Sequence, residues 1–225
     1  MKYDCGCVND TDPSGVLCSI SKCEFHTKHI TSPGTRGRDY YTLDPQLLNG
    51  DGIPQFYRYI TQLRDGLSVE DFDYLRCGLG KSCLELGCGL GMYIPLFLQG
   101  NWRYMGVDDS PYACDWVQNI FYVPIINDTI ENFPLGRTYH CVFAAHVLEH
   151  MNNAPATLRR FYNWTRERLY LIVPDDKDPV NPDHLWFFNR DSLTSLLLRT
   201  GFKNIRAKTV KVIEQENFIY CVAEK

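Results

Sequence analysis

Apolar positions are sparse over the first 30 residues and afterwards recur with periods that switch between those of helices and strands. Phe56, Tyr57, Tyr59, Ile60 and Leu63 fall at helical spacing and predict a helix over Pro54 to Arg64. Ser68, three residues before Asp71, is a helix-start signal for Val69 to Leu75. Ser82 to Leu86 reads as a first strand that runs into a glycine loop and a helix near Met92 to Leu98. Trp102 to Val107 reads as a second strand, ended by Asp108-Asp109-Ser110, and Pro111 opens the next helix where a missing N–H costs nothing. Short strands are predicted at Val123 to Ile126 and Tyr139 to Ala145. A helix with Leu158, Phe161, Tyr162, Thr165 and Leu169 on one face follows, and Arg159, Arg160, Arg166 and Arg168 read as its solvated surface. Arg168 to Val173 predicts a fifth strand, Asp191 to Thr200 a helix ended by Gly201, and Phe202 to Val212 with Phe218 to Glu224 a closing hairpin. The whole predicts an α/β fold with a doubly wound, mainly parallel seven-stranded sheet, a C-terminal antiparallel hairpin and a small N-terminal metal-binding segment.

Composition agrees with one well-buried core plus an appendage: the chain has 225 residues, 44% hydrophobic and 22% charged. Residues 1–35 form a Cys/His-rich segment ending in the turn-forming run Thr31-Ser32-Pro33-Gly34, and residues 36–225 form the main domain. A net charge of −4 gives no basic field to draw in phosphate backbones, which disfavours nucleic acid as a partner. No apolar run is long enough to span a bilayer and the first residues lack a secretory core, so the expectation is a cytoplasmic chain with no membrane partner.

Ten cysteines are many for a reducing compartment, and they fall into two groups. Cys77, Cys83, Cys88, Cys114, Cys141 and Cys221 are scattered, mostly in apolar runs, and read as small hydrophobes of the core. Cys5, Cys7, Cys18 and Cys23 crowd together just before His26 and His29, offering six borderline or soft ligands where zinc needs four. Cys5, Cys7, Cys23 and His26 are the preferred zinc set, because two short-spaced pairs across a turn-rich stretch close a tetrahedron most simply. Metal would supply the folding energy of a segment too small for a core; a thiol-rich tail or a pair of adventitious disulfides is the plain alternative.

The strongest chemical signal is Leu84-Glu85-Leu86-Gly87-Cys88-Gly89-Leu90-Gly91 where a strand meets a helix. A dinucleotide fingerprint needs a third glycine where Met92 stands, and a Walker loop needs a Gly-Lys-Ser/Thr that is absent, so both cofactors are disfavoured. Glu85 beside the turn suits an ammonium and hydroxyls and repels a pyrophosphate. Asp108, 23 residues on, ends the second strand where a carboxylate can accept ribose hydroxyls.

These motifs resemble the class I S-adenosylmethionine-dependent methyltransferases over about residues 50 to 225. The resemblance extends to Asn127-Asp128, His146-Val147-Leu148-Glu149-His150-Met151, Leu171-Ile172-Val173-Pro174 and His184-Leu185-Trp186-Phe187-Phe188, the last typical of the small-molecule branch. It implies that Glu85, Gly87, Cys88 and Gly89 hold the methionine part, Asp108 the ribose and Asp128 the adenine amino group, with Asp109 and Ser110 alongside and His146 facing the methyl-transfer chamber. Two features depart from the family: the step from Asp128 to Pro134 is one residue longer than usual, and Tyr139-His140-Cys141 replaces Phe-Asp-Val. The Asn/Asp-Pro-Pro-Tyr and Pro-Cys signatures of nucleic-acid enzymes are missing after the fourth strand.

The reading is an enzyme that transfers a methyl group from S-adenosylmethionine to an oxygen, nitrogen or carbon acceptor on a small molecule. The alternatives are a scaffold or sensor in which the zinc module does the binding, and a protein methyltransferase recruited through that module, which offers a place for a protein partner. The activated methyl needs alignment and removal of a proton, for which His146 is the first candidate and His184 the second. Tyr40, Tyr41 or Asp175 could instead take the proton, and His150 reads as packing or capping.

Overall fold

The computed structural model describes residues 55–175, 183–213 and 216–225. Two helices, α1 (Phe56–Gly66) and α2 (Val69–Leu75), precede the sheet, and Ser68 caps α2 by accepting from the Asp71 N–H at 3.1 Å. Then come β1 (Ser82–Leu86), α3 (Ile94–Gln99), β2 (Arg103–Asp108), α4 (Pro111–Phe121) and β3 (Ile125–Asn127). The second half runs β4 (Tyr139–Ala145), a single 3-10 turn (Leu148–His150), α5 (Ala154–Trp164), β5 (Thr165–Pro174), α6 (Arg190–Thr200), β6 (Lys203–Ile213) and β7 (Glu216–Glu224).

Seven strands form one sheet in the order β3-β2-β1-β4-β5-β7-β6, and β7 runs antiparallel to both its neighbours. Alternate residues of each strand feed two apolar layers. Leu84, Val142, Leu171 and Cys221 face one layer, which α5 and α6 cover; Cys83, Cys141, Tyr170 and Val222 face the other, with Phe97 of α3 and Val117 of α4. That two-sided burial is why the central strands read as nearly continuous apolar runs. The chain winds outward from β1 to β3 and then returns to place β4 on the other side of β1. The carboxyl ends of β1 and β4 therefore flank the switch point where doubly wound sheets open a crevice. Among the described residues no helix is long and apolar enough to cross a membrane.

The element order and the lone antiparallel strand follow the sequence pattern, while several details differ. The helix expected to reach Leu169 stops at Trp164, and β5 starts at once with Thr165, whose hydroxyl donates to the Phe161 carbonyl at 2.7 Å. Arg166 and Arg168 therefore stand on a strand, and Arg168 is drawn into ion pairs with Glu70 and Asp71 instead of lying on a solvated helix face. Arg160 remains on the helix but donates to the Ile130 and Phe133 carbonyls. Cys77 is exposed, unlike the other five cysteines read as core.

Candidate active site

The loop after β1 is shaped by its glycines. Gly87 and Gly89 hold φ of 64° and 50°, in the left-handed region that disfavours a side chain. A Cβ on Gly87 would lie 2.4 Å from Val147 Cγ2, so the turn after β4 packs directly on the glycine loop. Asp108, 6% exposed at the end of β2, binds that loop to its own: Oδ2 accepts from Gly89 N at 2.8 Å and Oδ1 from Ser110 N at 3.0 Å. The Asp108 carbonyl in turn accepts from Asp128 N and Asn127 Nδ2, both at 3.1 Å. The carboxyl ends of β1, β2 and β3 are thus tied together through one aspartate. Asp128 Oδ1 accepts from Thr129 N at 2.8 Å and from Asn132, Asp109 is exposed, and Ser110 caps α4.

Glu85 lies beneath this loop, 2% exposed, and accepts the Tyr104 hydroxyl at 2.6 Å. Burial drives its pKa up to about 8; the Tyr104 bond opposes the shift and the Asp108 charge adds to it. Cys88 is buried beside it, and burial pushes its thiol well above the ordinary range.

His146 follows β4 with φ of 55°, an uncommon conformation for a side-chain-bearing residue, and its N–H donates to the Ile172 carbonyl at 2.8 Å. Its ring is 32% exposed, packs edge-on against Phe218 at 4.6 Å, and sets Nδ1 3.5 Å from Glu149 Oε1. His150 and His184 meet beside Glu149, their rings 4.9 Å apart. The two candidate histidines, at opposite ends of a long sequence gap, are thereby brought to one place. His150, read from sequence as packing or capping, belongs to this polar cluster: its Nδ1 lies 3.0 Å from the Asp183 carbonyl, and its ring, His184 and Glu149 hold ligand-type atoms within 4.8 Å of one another.

Glu149 is the residue that sequence reasoning missed. It is 1% exposed, and neither carboxylate oxygen has a hydrogen-bond partner among the described residues. Burial acts to raise its pKa, but His146 beside it and the charges of His150 and His184 outweigh that and hold it below the ordinary carboxylate range. The signal for it in the sequence is its place between two histidines in His146-Val147-Leu148-Glu149-His150. Asp175, another candidate proton acceptor, accepts the Thr209 hydroxyl at 2.8 Å. Cys5, Cys7, Cys18, Cys23, His26 and His29, with Tyr40 and Tyr41, lie outside the described residues.

A family model described as a methyltransferase domain matches residues 58–207. No curated protein matches the chain. Among solved structures, an S-adenosylmethionine-dependent methyltransferase from Archaeoglobus fulgidus has a TM-score of 0.63 at 15% identity, covering 83% of this chain and 100% of that one. The 1,6-didemethyltoxoflavin-N1-methyltransferase of Burkholderia thailandensis, solved with 1,6-didemethyltoxoflavin and S-adenosylhomocysteine, has a TM-score of 0.57 at 17% identity, covering 88% and 94%. Magnesium protoporphyrin IX methyltransferase from Synechocystis PCC 6803, solved with S-adenosylmethionine, has a TM-score of 0.56 at 18% identity, covering 75% and 81%. Identities this low establish a shared fold.

Proposed function

The chain belongs to the methyltransferase-domain family and is a methyltransferase of the class I S-adenosylmethionine-dependent fold, and we propose that it methylates an oxygen, nitrogen or carbon of a small molecule. The observation that carries this reading is the Asp108 carboxylate, buried at the end of β2 and locked to the glycine loop by Gly89 N and Ser110 N. An acceptor pre-aimed at the mouth of the switch-point crevice suits a ribose, and the glycine turn beside it permits close approach of a ligand. The small-molecule class draws support from the Burkholderia and Synechocystis enzymes, whose names specify acceptors of that kind.

In this reading Glu85, Gly87, Cys88 and Gly89 hold the methionine part, Asp108 with Asp109 and Ser110 the ribose, and Asp128 the adenine amino group. When bound, S-adenosylmethionine supplies a methyl on a positive sulfur, already electrophilic. The chain aligns an acceptor lone pair behind that carbon and removes a proton from the acceptor. His146 takes that proton at Nε2, because Glu149 faces Nδ1 and favours a proton there; His184 is the second candidate. The proposal includes a cytoplasmic location and one zinc per chain on Cys5, Cys7, Cys23 and His26, a set that rests on the sequence alone. Elemental analysis of wild type and a Cys5→Ser/Cys23→Ser variant checks the zinc: the variant should hold one equivalent less than wild type, and equal zinc content in the two proteins removes it.

Calorimetric titration with S-adenosylmethionine tests the central assignment. Asp108→Ala should weaken binding by about 1 to 3 kcal/mol, because the ribose hydroxyls lose their acceptor. Undiminished affinity would remove Asp108 from the site.

A further inference from the structure

The Glu149 carboxylate is buried at the edge of the proposed methyl-transfer crevice with no hydrogen bond to either oxygen among the described residues. A buried carboxylate without a hydrogen bond needs a compensating positive charge, which proteins supply as a paired cation or a metal ion. Around it stand imidazoles. His146 Nδ1 is 3.5 Å from Oε1, and His150 and His184 each place a ring nitrogen within 4.8 Å of the other two donors.

Three further features fit an ion better than a chance cluster. The partner of His150 Nδ1 is a carbonyl, which only accepts, so Nδ1 carries the hydrogen and Nε2 keeps its lone pair. A ligating histidine is commonly fixed by its other ring nitrogen in this way. The segment bearing His184 is pinned to the turn bearing Glu149, since Leu185 N and Trp186 N both donate to the Glu149 carbonyl, at 2.7 and 3.1 Å. Trp186 Nε1 adds a bond of 2.6 Å to the Met151 carbonyl. All three donors therefore ride on one braced unit, and rotations of their side chains close a spread of 4.8 Å to the separation of about 3 Å that ligands at about 2 Å from one ion adopt.

We propose that Glu149, His150 and His184 bind a divalent first-row transition-metal ion at the carboxyl end of β4. Two imidazoles and one carboxylate suit Mn2+, Fe2+, Co2+ or Zn2+ and fit poorly with the all-oxygen shells of Ca2+ and Mg2+. Three protein ligands leave positions open for water or a substrate oxygen. In the metal-bound protein His184 serves as a ligand, which leaves His146 as the proton acceptor. The inference does not rest on the methyl-donor reading, and the two fail separately.

Co2+ titration of the full-length chain, followed by visible absorption, tests it. A nitrogen and oxygen set gives weak visible bands, whereas thiolate ligands add an intense near-ultraviolet band, so the amino-terminal cysteines report separately. One equivalent of Co2+ should bind without the thiolate band, persist in Cys5→Ser/Cys23→Ser, and weaken at least tenfold in Glu149→Gln, His150→Gln and His184→Gln. Melting curves and S-adenosylmethionine titration show which variants are folded; should Glu149→Gln fail, the two histidine variants decide. Absence of the thiolate-free site, or the same Co2+ affinity in every folded variant, overturns the proposal and leaves an ordinary carboxylate–imidazolium cluster.

Discussion

At the amino ends of β5 and β6 the buried Asp71 carboxylate accepts the Ser68 hydroxyl at 2.7 Å, Arg168 Nη1 at 3.0 Å, and Arg206 Nε and Nη2 at 2.8 and 2.7 Å. At the carboxyl end of β4, Glu149 is as deeply buried, 1% exposed in both cases, and accepts nothing among the described residues. The same chemical group is thus saturated with hydrogen bonds at one end of the sheet and, among the described residues, faced only by imidazoles at the other. The saturated carboxylate ties α2 to β5 and β6, and the Tyr170 hydroxyl adds a bond of 2.9 Å to the Asp71 carbonyl. The other stands where the parallel strands open. A fold can carry such a charge at its crevice only if the remainder of the sheet is firmly held, and the Asp71 cluster supplies that hold at the opposite end.

Removing each carboxylate in turn tests this contrast, and Asp71 should give the largest effect. Asp71→Ala leaves Arg168 and Arg206 facing a hole and is expected to cost about 3 kcal/mol in denaturant unfolding, near the low end for a broken buried pair because Arg206 keeps part of its hydration. Glu149→Gln in metal-free protein removes a charge that no hydrogen bond among the described residues supports but that the neighbouring imidazoles hold ionised, so it should cost stability, by less than Asp71→Ala. Equal losses in both variants would abolish the distinction. The Asp71 contribution also carries a pH signature. Burial works to raise its pKa, but the hydrogen bonds from Arg206 and Ser68, with the charges of Arg206 and Arg168, outweigh that and hold it below 3.8. The stability it adds is therefore complete above the unfolded pKa near 3.8 and is lost as pH falls through the lower folded value.

A smaller effect is expected at the open end, on turnover instead of folding. Once labelled S-adenosylmethionine and a metabolite extract have identified an acceptor, His146→Gln should lower turnover by roughly 100-fold, about 2.7 kcal/mol, with cofactor affinity nearly unchanged. Wild-type turnover in this variant would assign the proton to another group.

The two ends also differ in how far the sequence discloses them. Strand and helix order, the glycine loop and Asp108 are local patterns: an apolar run, a turn and a carboxylate at the strand end are read within a few residues. The Asp71 cluster joins residues 97 and 135 positions apart, and nothing near Arg168 or Arg206 distinguishes a buried arginine from a solvated one. Helical spacing continues into β5 by coincidence and hides the break at Thr165, so the pattern puts Arg166 on a helix surface and lets Arg168 read either as helix surface or as the start of the strand. At the crevice, His146 and His184 were visible as residue types. Glu149 was overlooked because burial is a property of the packed turn, and its neighbours arrive from a segment 33 residues beyond His150.

Glu85 offers the finest test of the contrast, since it is buried like Asp71 and only partly satisfied. With a pKa near 8 it is largely neutral in the free protein at pH 7, mainly because burial disfavours its charge. An ammonium brought against it would favour the carboxylate, so binding below pH 8 should release a proton. Affinity for S-adenosylmethionine should then rise with pH, by up to about tenfold per unit, until the ligand's own amine begins to deprotonate near pH 8. Calorimetry at pH 6.5 in two buffers of different ionisation enthalpy measures the proton directly, and Glu85→Gln should abolish its release. If wild type binds S-adenosylmethionine with no proton exchange at that pH, the ammonium does not reach Glu85, whose carboxyl then serves only the Tyr104 bond beneath the loop.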